Sequence, residues 1–211
     1  PGELCYQYDP ENPVPTIGGA LTSGEPLMQG GAFDQRESDR IFKYRGAPNG
    51  RLLSEREDVL VFQTPPIEKA LVVSGALIVE LFVSTDCPDT DFTAKLIDVY
   101  PPSADYPEGF AMNITDGIFR LRYREGWDRQ VMADAGEIYR IEIKPFAVSN
   151  LFKAGHRLRL DVSSSNYPHF DLNPNTGAPE GCAVDFRVAT NHIHFGEGHL
   201  SRLRLPVVSD Q

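Results

Sequence analysis

The stretch that decides the fold covers residues 149–177 and reads SNLFKAGHRLRLDVSSSNYPHFDLNPNTG. Its middle, residues 157–163, alternates strictly between apolar and polar side chains. The apolar members are Leu158, Leu160 and Val162, and the polar members are Arg157, Arg159, Asp161 and Ser163. A period of two is typical of a β-strand with one buried face. We therefore expect the apolar members to face a core, and a substitution at Arg159 to destabilise the fold far less than one at Leu160.

Both ends of this strand are marked by turn-forming residues. Residues 153–156 precede it, and Gly155 among them can take a positive φ at no steric cost. A loop rich in Asn, Asp and Pro follows from residue 166. A long polar loop of this kind is usually held by its own hydrogen bonds or by a partner.

Short runs of the same type continue along the chain from residue 58. The predicted strands are 59–63, 71–73, 76–84, 92–99, 118–124, 139–144, 157–163, 183–189, 192–195 and 202–208. In the run 118–124, three aromatic or apolar residues alternate with three arginines. Gly and Pro separate nearly all of these runs, and no helical period of ten or more residues occurs. Many short strands with turn signals between them predict an all-β sandwich.

The first 57 residues differ from the rest because they lack a regular period. They contain Pro10, Pro13, Pro15 and Pro26 and the pairs Gly18-Gly19 and Gly30-Gly31. We predict an extended arm with at most short strands. A segment of this length is unusual in a compact domain unless it packs on another surface.

Composition excludes several classes of function. A formal net charge of −10 on 211 residues argues against a nucleic-acid partner, which needs clustered Lys and Arg. The apolar runs, such as residues 76–83, are too short to cross a membrane. The three cysteines, Cys5, Cys87 and Cys182, are odd in number and show no CxxC spacing, so a disulfide framework and a zinc site are not expected.

Several blocks of sequence resemble one family, in order along the chain. They are YDPENPVP (8–15), DQR (34–36), DVLVF (58–62), DTDFTAKLIDVYP (89–101), DGIFRLRYRE (116–125), the stretch 149–177 and HIHFGEGHLSRLRLP (192–206). Together they resemble the C-terminal β-domain of the cocaine esterase and X-Pro dipeptidyl-peptidase (CocE/NonD) family of serine hydrolases. The resemblance implies a jelly-roll, galactose-binding-like β-sandwich over residues 58–211. It also implies that residues 1–57 are an arm leading from a hydrolase domain that lies N-terminal to this chain.

Catalytic residues are not expected in this chain. It contains no GxSxG motif, and the serines at 163–165 continue a strand into a turn, so we interpret them as structural. The resemblance places the Ser–His–Asp triad in the hydrolase domain, where it would cleave an ester or an amide through an acyl-enzyme. The partner implied for this chain is that hydrolase domain, and a homo-oligomer is compatible with the sequence.

The arm holds the candidate site residues. In the family, apolar residues that follow a PVPxxGG motif help to wall the substrate pocket of the hydrolase. The motif here is PVPTIGG at residues 13–19, and the apolar residues that follow are Leu21, Leu27, Met28 and Phe33. Ordinary packing between two domains is the alternative role for these side chains.

Two clusters could hold a metal ion. His192 and His194 lie on one face of a predicted strand, with Glu197 and His199 close behind, as in a cupin-like centre. We favour a closing hairpin with its turn at residues 196–198, and predict no metal and no cofactor. Asp86, Asp89 and Asp91 could bind calcium, although aspartates in turns more often accept bonds from backbone N–H groups; the calcium alternative stays open.

A free-standing carbohydrate-binding or ligand-binding β-sandwich is the alternative function. Sugar binding requires exposed aromatic side chains, and Trp127, Tyr167 and Phe170 lie in predicted loops. Glycan binding that Trp127→Ala abolishes would favour this alternative.

The fold class can be tested without a structure. Because the predicted elements are strands, far-UV circular dichroism is expected to show a dominant β signal. A helical content above about one third, the average for globular proteins, would contradict the prediction.

Overall fold

The computed structural model describes residues 2–23, 29–37, 50–182 and 185–208. This part of the chain contains eleven strands and two 3₁₀ turns, at Leu53–Glu55 and Leu121–Tyr123. The strands are β1 (Glu3–Tyr8), β2 (Leu60–Gln63), β3 (Leu71–Gly75), β4 (Ile78–Thr85), β5 (Asp91–Tyr100), β6 (Phe110–Arg120), β7 (Tyr139–Ile143), β8 (Val148–Phe152), β9 (Arg157–Ser163), β10 (Ala189–His194) and β11 (Arg202–Arg204). No helix among these residues is long and apolar enough to span a membrane.

Two antiparallel sheets make up the body of the molecule. The first has the order β1-β10-β4-β7, and the second has the order β2-β9-β5-β6. Strand β11 pairs with Ile78–Glu80 of β4, on the same edge where β10 pairs with residues 82–85. Strands β3 and β8 form a small separate pair. The all-β sandwich predicted from the sequence is confirmed.

The core lies between the two sheets. Leu158, Leu160 and Val162 of β9 are all buried and face it, as the alternation predicted. They join a cluster with members from both sheets, including Tyr6, Tyr8, Val79, Leu81, Val83, Phe92, Leu96, Ile141, Ile143 and Ile193. Removing apolar side chains from water stabilises the fold by roughly 25 cal/mol per Å².

The opposite face of the second sheet is buried as well, which the sequence did not predict. Lys95 on β5 and Arg159, Asp161 and Ser163 on β9 are each less than 9% exposed. A second apolar cluster lies over them, formed by Val14, Ile17, Leu53 and Val59 with Phe33 packed against it. The expectation of a single buried face is therefore wrong, because residues before β2 pack across the polar side of the sheet.

Three local predictions also need correction. The strand predicted at 118–124 ends at Arg120, and a 3₁₀ turn follows in which both Leu121 and Arg122 are buried. Of the strand predicted at 183–189, residues 185–188 are irregular and only Ala189 is in a strand, while 183–184 lie outside the described residues. The hairpin predicted around 196–198 does not form, because β10 and β11 are both antiparallel to β4 and lie end to end along one edge of it.

Two strands were not predicted. Strand β8 lies in a segment to which the sequence analysis assigned no element, and β1 lies inside the segment 1–57 that was interpreted as an arm with at most short strands. Strand β1 pairs with β10 over its full length and buries Tyr6 and Tyr8 in the core. The division of the chain into an arm (1–57) and a domain (58–211) stays a prediction, with residues 3–8 packed in the sandwich.

The buried polar face gives a stability test. Nη2 of Arg159 donates to Oδ2 of Asp161 at 3.0 Å, and both side chains are buried. Arg159→Ala removes the hydrogen-bond partner of that buried carboxylate, which costs about 3–5 kcal/mol, similar to the roughly 2–5 kcal/mol expected for Leu160→Ala. Chemical denaturation measures both free energies of unfolding. Arg157→Ala, at a half-buried position on the same strand, is the control, and a loss at Arg159 as small as that control would contradict the prediction.

Candidate functional site

The arm forms a loop closed at its base by two glycines. Gly19 N–H donates to the carbonyl of Gly31, and Gly31 N–H donates to that of Gly19, each at 2.9 Å. We call residues 19–31 the arm loop; its residues 24–28 lie outside the described residues. Just before the loop, Gly18 has a φ of +68°, and a Cβ there would lie 2.7 Å from the ring of Phe33. Only glycine fits this position without displacing its neighbours.

The predicted site residues separate into two groups. Leu21 is 48% exposed on the arm loop. Phe33 is half-buried and packs against the second apolar cluster, and its N–H donates to Oδ1 of Asn113 at 2.8 Å. Leu27 and Met28 lie outside the described residues. Thus Phe33 fixes the end of the loop, while Leu21 projects from it.

A single glutamine holds both ends of the arm loop. Nε2 of Gln35 donates to the carbonyl of Ile17 at 3.0 Å and to that of Phe33 at 3.1 Å. Its Oε1 accepts a bond from Nζ of Lys95 at 2.9 Å. Gln35 is fully buried, so these bonds are shielded from competing water. The position of the loop is therefore set by a lysine in the middle of β5.

Lys95 belongs to a buried polar network. Its Nζ also lies 3.4 Å from Oδ1 of Asn166, whose Nδ2 donates to Oδ2 of Asp116 at 2.9 Å. The other oxygen of Asp116 lies 3.3 Å from Nδ1 of His169. We call Gln35, Lys95, Asp116, Asn166 and His169 the buried anchor. It joins the arm to β5, β6 and the loop after β9.

The pKa values of the anchor reflect its burial. Burial lowers the pKa of Lys95, against the opposing charges of Asp116 and Asp161. Burial acts to raise the pKa of Asp116, but the hydrogen bond from His169 and the charge of Lys95 outweigh it and hold that pKa below its ordinary value. The network thus encloses the amine of Lys95 and the carboxyl group of Asp116 instead of exposing either to a substrate.

The polar loop after β9 is held by the arm. Thr16 N–H donates to the carbonyl of Tyr167 at 2.7 Å, and Tyr167 N–H donates to that of Val14 at 2.9 Å. His169 N–H donates to Oγ1 of Thr16 at 3.1 Å, and the His169 ring stacks on Phe170 at 4.2 Å. The expectation that hydrogen bonds hold this loop is confirmed.

The serines of the same region make structural contacts. Oγ of Ser164 bonds with the hydroxyl of Tyr6 and accepts from Nδ2 of Asn191, both at 2.8 Å. Oγ of Ser165 accepts the N–H of Val14 at 2.9 Å. These contacts support the structural interpretation of these two serines.

A different serine meets a histidine on the outer face of the first sheet. Oγ of Ser84 lies 2.8 Å from Nε2 of His194, and Nδ1 of His194 lies 3.3 Å from Oε2 of Glu3. The order of atoms is that of a serine–histidine–acid triad. However, Ser84 is buried in the middle of a sheet and lacks the strand–turn–helix context that exposes a nucleophile. Burial lowers the pKa of His194, and its ring is hydrogen-bonded to the Ser84 hydroxyl as part of the sheet surface.

The histidine pair does not gather a metal-ligand set. Oε2 of Glu3 also lies 3.6 Å from Nδ1 of His192. Across the ranges that the structure describes, no group of three His, Cys, Asp or Glu side chains could hold a metal ion. Glu3 therefore contacts both histidines and ties β1 to β10.

The aspartates of the loop before β5 have arginine and backbone partners. Asp91 receives two bonds from Arg120 at 2.9 Å, and Asp89 receives Nε of Arg122 at 2.7 Å and its backbone N–H at 2.8 Å. Asp86 accepts the N–H of Thr190 at 2.9 Å. Burial raises the pKa of Asp91 to about 6, with Arg120 opposing the rise. Because these oxygens are engaged, the contacts favour capping and ion pairing over calcium.

Comparisons with known proteins now define the family. The family described as X-Pro dipeptidyl-peptidase C-terminal non-catalytic domain matches residues 6–204. The chain belongs to this family. The resemblance seen in the sequence is confirmed.

Individual relatives agree with this assignment. The cocaine esterase of Rhodococcus sp. (strain MB1 Bresler) is 38% identical over 205 residues, which cover 96% of this chain and 32% of the esterase. The crystal structure of an aminopeptidase from the marine sediment archaeon Thaumarchaeota archaeon is similar over 99% of this chain, with a TM-score of 0.83 and 28% identity. An α-amino acid ester hydrolase gives a TM-score of 0.80 and 29% identity over the same share. The chain spans about a third of the length of each relative.

Sequence reasoning missed most of the buried anchor. Lys95 was treated as one residue of a loosely alternating strand, although it is the only charge between Phe92 and Ile97. A single lysine inside an apolar strand is a signal of a paired buried charge. Its partners Gln35 and Asn166 come from distant segments, and nothing in the local sequence indicates them.

The metal-free interpretation can be checked on protein purified without a histidine tag. Elemental analysis is expected to find no stoichiometric zinc, iron or manganese, because Nε2 of His194 is already bonded to Ser84 and Nδ1 faces Glu3. One molar equivalent of metal that disappears in His194→Ala would overturn this interpretation. Loss of metal in Trp127→Ala as well would point to non-specific binding.

Proposed function

We propose that this chain supports the hydrolase domain of a serine esterase or peptidase, and that its arm loop walls the substrate cleft of that domain. The observation that carries the proposal is Leu21, an apolar side chain that is half-exposed on a loop whose base is rigidly held. Exposed apolar side chains gain free energy only when another surface covers them.

The anchoring of the loop supports a positioning role. A wall of a substrate pocket must keep its place to within a fraction of an ångström, and buried hydrogen bonds to the base provide that restraint. Gln35 and the glycine pair supply these bonds on the protein side. The arm loop can therefore present Leu21 to a neighbouring domain in one position.

The chemistry would be carried out elsewhere in the polypeptide. A Ser–His–Asp triad in the hydrolase domain would attack the carbonyl of an ester or amide, and water would release the acyl group. The arm loop would contribute apolar surface that selects the acyl or leaving group. The relatives include both an esterase and an aminopeptidase, so the proposal covers ester and amide hydrolysis alike.

Packing between domains is the competing role of the arm loop, and substrate preference distinguishes the two. In the full-length protein, Leu21→Ala is expected to change the ratio of specificity constants for long and short acyl esters, because a pocket wall loses apolar contact. The change is at most roughly 1–3 kcal/mol, the range for small changes in an apolar pocket. Leu151→Ala, at a position with 49% exposure on β8, is the matched control and is expected to leave the ratio unchanged. An unchanged ratio in both variants would indicate that the arm loop only packs between the domains. The roles of Leu27 and Met28 as walls of the substrate cleft stay a prediction.

The isolated chain provides a separate check. It is expected to show no turnover of a chromogenic ester. Turnover that Ser84→Ala or Ser164→Ala abolishes would place the chemistry in this domain and overturn the proposal.

Sugar binding is the second candidate, and one side chain favours it. Trp127 is 73% exposed and lies 5.7 Å from the ring of Tyr123 and 5.9 Å from that of Phe119. An exposed indole backed by two rings is a surface on which a sugar can stack. A glycan array followed by Trp127→Ala tests this function independently of any hydrolase.

A further inference from the structure

The sandwich is open along one side. A cleft with a cavity volume of about 740 Å³ lies between β2 of the second sheet and β11 of the first. Its walls are mainly apolar, with Leu4, Phe62, Leu81, Leu158, Leu160 and Leu203 among them. A volume of this size is in the range of sites that enclose a ligand or a peptide segment.

The cleft is a continuation of the core. On β1, Tyr6 and Tyr8 are 4% and 0% exposed, whereas Leu4 in the same inward-facing row is 45% exposed. Leu158 and Leu160, which line the cleft, also belong to the main core cluster. The row of core side chains therefore continues into the cleft. No described residue covers Leu4, the last side chain of that row, completely.

Two unpaired strand edges border the same opening. In the described part of the chain, β2 pairs only with β9 and β11 pairs only with β4. Proteins rarely leave a strand edge free beside exposed apolar side chains, because such an edge pairs with other chains. The cleft thus has the backbone groups as well as the side chains that an added extended segment would use.

The charged residues at the rim are already paired. Arg202 bonds to Glu80 at 3.2 Å, and Glu3 lies 3.3 Å from His194, while the side chain of Arg159 bonds to Asp161 on the opposite face of β9. Each described charged side chain at the rim therefore already has a polar partner. The occupant that fits the cleft is therefore apolar and uncharged where it enters.

The start of β1 indicates which segment is within reach. Glu3 and Leu4 line the cleft, and the carbonyl of Gly2 accepts the N–H of Phe195, another lining residue, at 2.6 Å. Any polypeptide joined to the N-terminal side of residue 2 leaves the domain at this rim. An extended chain advances about 3.3 Å per residue, so only a few residues are needed to cross the opening.

We propose that the cleft is closed by the stretch of the same polypeptide that lies immediately N-terminal to this chain, as an extended segment with apolar side chains. The inference rests on the proposed function, in which this chain is one domain of a longer protein. The segment completes the core next to Leu4 and covers the edges of β2 and β11. The domain and its upstream connection then form one folded unit instead of two bodies joined by a free linker.

Photo-cross-linking in the full-length protein tests this assignment. A benzoylphenylalanine placed at Leu203 is irradiated, and the cross-linked peptides are identified by mass spectrometry. The expected result is a cross-link within one molecule to the peptide that directly precedes residue 1. The same group at Leu151, exposed on β8, is the control and is expected not to capture that peptide.

Every other product would overturn the inference. These products are a cross-link to a distant part of the hydrolase domain, a cross-link to a second copy of the protein, and the absence of any peptide cross-link, as for a cleft that holds water or a small molecule. Placing the group at Phe62, on the opposite wall, gives an independent reading if the Leu203 variant does not fold. A cross-link to the hydrolase body refutes this inference but leaves the proposed function standing. The expected cross-link in a protein without ester or amide hydrolysis refutes the proposed function alone.

Discussion

The structure depends on a lysine that is buried where a strand of this type normally meets solvent. Placing an ammonium group inside a protein costs several kcal/mol unless partners replace its hydration. Lys95 finds them in three separate parts of the chain: Gln35 from the arm, Asn166 from the loop after β9, and the nearby charge of Asp116. The lysine therefore favours one placement of the arm, because any other placement takes Gln35 away from the ammonium group. The apolar clusters on the two faces of the sheet stabilise the fold, while this network fixes where the arm lies.

The second sheet consequently works as the middle layer of three. Its inner face packs against the first sheet, and its outer face is covered by residues that precede β2, namely Val14, Ile17, Leu53 and Val59. The middle layer links the positions of the two sides, because on β5 the anchor residue Lys95 lies between the core residues Ala94 and Leu96, and β9 leads directly into the loop that holds Asn166. A change in the core next to Leu96 or Leu160 is thus only one residue away from the network that holds the arm.

The sequence predicts features that depend on neighbouring residues, and it does not predict contacts between distant segments of the chain. Alternation at 157–163 predicted strand β9 and the inward direction of Leu158, Leu160 and Val162, because burial of one side of a strand imposes a period of two. The same alternation cannot tell whether its polar side meets water or another segment, so the burial of Arg159 and Asp161 was missed. The pattern at 118–124 misled because Arg122 turns inward to meet Asp89, which lies 33 residues away. For the arm, the sequence and its resemblance grouped Leu21 with Phe33 and did not indicate that Phe33 is packed while Leu21 is exposed.

The glycine pair at the base of the arm loop has a consequence for how such proteins diversify. Gly19 and Gly31 bond to each other through backbone groups alone, so their contact does not depend on which side chains lie between them. Insertions, deletions and substitutions inside the loop can accumulate while its two ends stay in register with Gln35. The residues between the two glycines can therefore be exchanged while the base of the loop keeps its position. Under the proposed function, recombining the loop among relatives would be a route to new substrate ranges without a penalty in folding.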